Sequence, residues 1–145
     1  MVLFAEGDDA LGDAEFPRVE TVVDPWGKRH DFTIDVHTTE SGYFVRAAEK
    51  AQDGGRYEFA AYASGSPYLA LGRLRQTIRE GLATRYLVTE EGRRRLGHDK
   101  AVGRIGFDCV IIDGQEISFD EFSELLQSHE GWQFKLTIAD PYEAM

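Results

Sequence analysis

Between residues 19 and 62, four short runs of alternating or β-branched residues are separated by turn signals only a few residues long. This spacing constrains the chain more than any other feature. A parallel crossover needs a dozen residues or more, so neighbours joined by such turns run antiparallel. Val19 to Val23 leads into Asp24-Pro25-Trp26-Gly27, where proline presets φ and glycine completes the turn. From His30 to Thr38 the alternation is regular, with Phe32, Ile34 and Val36 on one face and Asp31, Thr33, Asp35 and His37 on the other. Glu40-Ser41-Gly42 turns the chain into Tyr43 to Glu49, with Tyr43, Val45 and Ala47 inward. Asp53-Gly54-Gly55 turns it again into Arg56 to Tyr62, with Tyr57 and Phe59 inward.

A helix follows. Ser66 caps it and Pro67 takes the first helical position, where its missing N–H costs nothing. Leu71, Leu74, Ile78 and Leu82 form the buried stripe. A second, short helix is expected from Thr89 through Arg95. Arg104 to Ile112 reads as one central strand, Asp113-Gly114 as a two-residue hairpin turn, and Gln115 to Ile117 as the returning strand. Ser118-Phe119-Asp120-Glu121 is a capping box in which the Glu121 side chain returns to the Ser118 N–H. The helix it opens buries Phe119, Phe122, Leu125 and Leu126 and stops at Gly131. Trp132 to Ile138 is the clearest strand pattern in the chain: Trp132, Phe134, Leu136 and Ile138 alternate with Gln133, Lys135 and Thr137. The order ββββ-α-ββ-α-β predicts an α+β fold, with two principal helices packed on one face of a mainly antiparallel sheet. Residues 1–18 read as an acidic, mobile arm, and residues 19–145 as a single domain.

Composition excludes several classes. With 145 residues, 42% hydrophobic and 12% aromatic, the chain can bury a core. Its one cysteine, Cys109, cannot form an internal disulfide, and no apolar run approaches the roughly 20 residues of a membrane span. The short apolar start lacks the basic flank of a signal peptide, so a cytoplasmic address is expected. The net charge of -10 is unevenly spread: -7 over residues 1–66, +5 over 67–104 and -8 over 105–145. An acidic whole disfavours generic binding to a phosphate backbone, while the basic middle leaves a local anion site open.

The sequence shows no P-loop, dinucleotide fingerprint, nucleophile elbow or zinc-ligand spacing, so neither metal nor cofactor is expected. Asp8, Asp9 and Asp13 lack the spacing of a calcium loop. The catalytic candidates are Asp31, Asp35 and His37, which share one strand face. They suit a small metal-assisted hydrolase, or simply the solvated face of a half-buried sheet. His30 is out of phase with His37, and His129 falls near a helix end. Cys109 falls in an apolar strand and reads as a small packed hydrophobe. The binding candidates are Arg75, Arg79, Arg93, Arg94 and Arg95, with Tyr86 among them. Arginine forks suit phosphate or carboxylate, and tyrosine can stack on a base. Nucleotide or nucleic-acid binding is one reading of that stretch, and pairing with the acidic flanks is the other.

Residues 30–86, with Ser41-Gly42-Tyr43-Phe44-Val45 ahead of the helix, resemble small antitoxins of the HicB type in element order. The extra first strand, the C-terminal third and the lack of a DNA-binding tail depart from that pattern. Val110 to Ser118, Glu121-Phe122 and Glu130 to Leu136 resemble the C-terminal signature of an uncharacterised bacterial domain family. That resemblance implies no activity. Relatives with a cysteine-rich metal-binding segment differ from this chain, which has no such cysteines. The functional expectation is a non-enzymatic protein-binding or regulatory module with a protein partner or a second copy, and an acidic antitoxin-like inhibitor of a basic partner as its specific form.

Overall fold

The structure, a computed structural model, describes residues 16–50 and 56–142. The acidic arm up to residue 15, with Asp8, Asp9 and Asp13, lies outside the described residues, as does the Asp53-Gly54-Gly55 turn. The fold is α+β, and its sheets are antiparallel. The described residues divide into two units: residues 16–50, 58–83 and 139–142 make the first, and residues 56–57 and 84–138 the second.

In the first unit, Val19–Val23 (β1), Arg29–Thr38 (β2), Tyr43–Glu49 (β3) and Glu58–Ala63 (β4) form a meander in the order β1-β2-β3-β4. The expected alternation is realised in β2, where Phe32 and Ile34 are buried and Thr33, Asp35 and His37 are exposed. Pro67–Ala83 (α1) covers the sheet through Leu71, Leu74, Ile78 and Leu82, the stripe its spacing predicts. The Ser66 hydroxyl accepts from the N–H groups of Tyr68 and Leu69 at 3.1 and 3.0 Å, so the helix start is capped as its sequence demands. Gly81 lets helix and sheet approach closely: a β-carbon there would sit 2.3 Å from the Phe59 ring. Phe16 is buried and meets Tyr68 edge-on at 5.4 Å.

The second unit holds two small sheets and one helix. Leu87–Glu90 (β5) pairs with Arg93–Leu96 (β6). The helix expected from Thr89 to Arg95 is this hairpin instead. Its turn is Glu91-Gly92, with φ of 52° and 76°, and two successive positive φ values suit a hairpin and break a helix. The strand expected from Arg104 to Ile112 is likewise a hairpin, Gly103–Gly106 (β7) and Cys109–Ile112 (β8), turning at Phe107-Asp108. Asp108 supplies the left-handed φ of 58° that glycine usually provides. Gln115–Ser118 (β9) completes the order β7-β8-β9, joined through the predicted Asp113-Gly114 turn.

Phe119–Gln127 (α2) packs on β6, β8 and β9. Ser118 caps it by accepting from the Glu121 N–H at 3.1 Å. The return half of the capping box goes elsewhere, because the Glu121 carboxylate takes Arg94 with both oxygens, at 2.8 and 2.5 Å. A bidentate charged pair outcompetes a single backbone N–H. The core is small: Leu87, Ile112, Ile117 and Leu125, with Tyr86, Leu96, Val110 and Phe122 against it. Phe119 and Leu126, expected inside, are half exposed, since a nine-residue helix presents only a narrow face to its sheet.

The largest departure is Trp132 to Ile138. The pattern predicts a strand, yet the segment belongs to no sheet among the described residues. Hydrogen-bonded turns carry the chain from α2 to Trp132, and Gly131 has a φ of 91°.

Candidate functional site

Asp31, Asp35 and His37 share a face, as predicted, but the face does not converge. At about 3.3 Å per residue, Asp31 and Asp35 are about 13 Å apart along β2, and Asp31 and His37 about 20 Å. Each meets a local neighbour. Asp31 accepts from the Thr21 hydroxyl at 2.7 Å and from Arg29 at 3.0 Å, and these bonds hold its carboxyl below the usual aspartate range. Asp35 stands opposite Arg46 and His37 opposite Phe44. Arg46 is committed to Glu58 at 2.8 Å, a pairing that raises the guanidinium above its ordinary value.

The predicted binding arginines are divided between the two units. In the first, Arg75 pairs with Glu20 and Arg79 donates to the Gln76 amide at 3.3 Å. In the second, Arg94 is held by Glu121 and Gln115, Arg95 meets Glu90 at 3.3 Å, and Arg93 reaches Glu124 at 3.8 Å. The Tyr86 and Leu87 N–H groups donate to the Asp113 carboxylate at 2.8 to 3.1 Å, so the hairpin turn also ties down the start of β5. Cys109 is buried and donates to Glu116 at 3.4 Å. Burial, then that carboxylate, pushes its thiol up, away from a reactive thiolate. His129 bonds to Ser128 at 3.1 Å and meets the Trp132 ring edge-on at 5.0 Å.

The structure assembles one polar group that sequence reasoning passed over. His30 is buried, with Nδ1 2.7 Å from Glu49 Oε2 and Nε2 2.9 Å from Asp24 Oδ2. Asp24 and Glu49 are buried too. Burial pushes the Asp24 carboxyl up, but bonds from His30 and from the Lys28 and Trp26 N–H groups outweigh it and leave it at about 2. Both ring nitrogens face carboxylate oxygens, so the ring is held from two sides. It pins the β1–β2 turn to the end of β3. The signal was phase: His30 is in register with Phe32 and Ile34, on the buried face, where a histidine must find partners. Among the described residues, no three His, Cys, Asp or Glu side chains are arranged to hold a metal ion. No helix among them is long and apolar enough to cross a membrane.

Two apolar features stand out on the surface of the described residues. A shallow depression of about 520 Å³ runs along α1, lined by Tyr68, Leu69, Gly72 and Arg73 among others. Arg73 is turned onto the Tyr62 carbonyl at 2.9 Å, so the depression gathers no free polar group from it. The second feature is larger. Trp132, Phe134, Leu136 and Ile138 are 66, 89, 74 and 70% exposed, and Gln133, Lys135 and Thr137 between them are exposed as well. In the same unit Ile105 is 64% exposed and Phe107, at the tip of its hairpin, 96%. This run of seven exposed residues, four of them large and apolar, is the longest stretch of its kind among the described residues.

Two family models match the chain, one on each half. Residues 14–83 match the model of a domain of unknown function (DUF7686), and residues 86–143 match that of a second (DUF7713). No curated protein and no solved structure matches the chain. The seam between the two matches, at residues 84 and 85, falls where the two units divide. The chain is therefore similar, half by half, to two uncharacterised domain families, the second covering the C-terminal signature that its sequence displays.

Proposed function

We propose that this chain is a non-enzymatic protein-interaction module, and that Trp132 to Ile138 is the element it presents to a protein partner. The supporting observation is the exposure of all four apolar side chains in a strictly alternating segment that is paired to no sheet among the described residues. Such a segment binds by strand addition: its main chain supplies hydrogen bonds, and its alternate side chains fill an apolar surface. The site candidates carry less weight: those on β2 lie about 13 to 20 Å apart along the strand, and among the arginines Arg75 and Arg94 are already paired with Glu20 and Glu121. An acidic, inhibitor-like role toward a basic partner is the narrower form of the proposal, motivated by the net charge of -10.

The test is site-specific photocrosslinking of the full chain in cells. A photoreactive phenylalanine analogue replaces Phe134 or, as control, the exposed Glu124. Protein adducts at position 134 that the control lacks are expected. Equal labelling at both positions removes the proposal. For the inhibitor-like form, complex formation with the captured partner weakens as salt rises, and a salt-independent complex removes that form.

A further inference from the structure

The second unit contains a sheet that lacks a strand as well as a segment that lacks a sheet. Paired residues of an antiparallel ladder lie on one face, so Ile105, Val110 and Ile117 form a row across β7, β8 and β9. The row runs from fully buried to open. Ile117 is 0% exposed, Val110 packs against the core, and Ile105 is 64% exposed because β7 ends the sheet. β7 reads Gly-Arg-Ile-Gly, with neither proline nor lysine; its one charge, Arg104, is turned onto the Arg56 carbonyl at 3.2 Å, and the exposed Phe107 follows.

We propose that the segment Trp132 to Ile138 of one copy seats on the β7 edge of a second copy, and that the exchange is reciprocal. The inference rests on the interaction-module reading and names its partner. One of the four apolar side chains extends the Ile117–Val110–Ile105 row, the other three lie along the added strand on that same face, and Gln133, Lys135 and Thr137 keep to the opposite face. The area suffices. Each segment carries on the order of 500 Å² of exposed apolar side chain. Two reciprocal seatings, counting the surfaces they cover, bury roughly 2,000 Å², above the roughly 1,000 Å² that marks a specific interface. A two-fold exchange also closes on itself, so it ends at the dimer and does not grow into a filament.

The test is the mass of the full-length protein by sedimentation equilibrium, from micromolar to sub-millimolar concentration, for the wild type, Phe134→Asp and Ile105→Lys. Both altered side chains stand in water in the single chain, so each variant keeps its fold, which circular dichroism checks. A wild-type dimer is expected, weakened at least about 30-fold by either change. Mixing the two variants restores a heterodimer, since the Ile105→Lys chain still donates an intact segment to the intact edge of the Phe134→Asp chain. A dimer that survives either change, or a mixture that restores nothing, overturns the proposal. Hydrogen exchange then separates the two levels if the wild type is monomeric. Unprotected amides at 132–138 remove the second copy as partner and leave the interaction module standing on its crosslinks. Protected amides place the segment on its own sheet and remove both.

Discussion

His30–Thr38 and Trp132–Ile138 carry the same alternating pattern and end in opposite states. In β2 the apolar row is shut in, with Phe32 at 0% and Ile34 at 6% exposure. In the C-terminal segment the corresponding residues are 66 to 89% exposed. The difference lies in what each segment has beside it. β2 has β1 on one side and β3 on the other, and its unit has a 17-residue helix to lay over the sheet. The C-terminal segment follows a nine-residue helix that covers little more than Leu125. Alternation declares which face wants cover, and the neighbours decide whether it is given.

That contrast can be broken by substitution. Phe32→Ala should cost the first unit about 4 kcal/mol, the transfer loss plus the cavity it leaves, read as a shift in urea midpoint. Phe134→Ala, the same change in the other row, should move the single chain by less than about 0.5 kcal/mol, and a larger loss would mean that the segment is packed. Between these extremes lies His30→Ala, expected to cost about 3 kcal/mol because it strands Asp24 and Glu49 in the interior. Gly114→Ala is expected to cost the second unit about 2 kcal/mol. Its φ is 72°, and an added β-carbon would meet the Tyr57 ring at 2.7 Å.

Acid sharpens the comparison further, since among the described residues the buried carboxylate–imidazole group belongs to the first unit. Asp24 ionises at about 2 when folded and at 3.8 when free. Its folded value is depressed, so its contribution is complete above the free value and is lost as pH falls through about 2. Urea midpoints measured down to that pH should fall more steeply for the wild type than for Asp24→Asn. Parallel curves would show that Asp24 is not held by its neighbours.

Features decided within a few residues were legible in the sequence. The Ser66-Pro67 start, the α1 stripe and the Asp113-Gly114 turn each depend on local sterics and hydrogen bonds, and each is as predicted. The hairpin at Phe107-Asp108 was hidden because aspartate, not glycine, takes the left-handed position. The Glu91-Gly92 hairpin was hidden beneath residues whose side chains also suit a helix. The Asp24–His30–Glu49 group needed three separate stretches of chain to meet, and periodicity within one stretch does not report that. For the candidate sites, the shared face of Asp31, Asp35 and His37 was legible, while the strand expected from Trp132 to Ile138 was not formed among the described residues. What stands opposite each was not legible, because it is set by partners distant in sequence.

The placement of the two tryptophans has a practical consequence. Trp26 is 57% exposed and Trp132 66% exposed, and the chain has no others. Indole emission follows the polarity around the ring, so both fluorophores already report water in the folded chain. Intrinsic fluorescence will therefore change little when this protein unfolds, and a melt recorded that way will look flat while the fold is lost. The same signal becomes an almost background-free reporter of association, because any surface that closes over Trp132 will shift its emission to the blue.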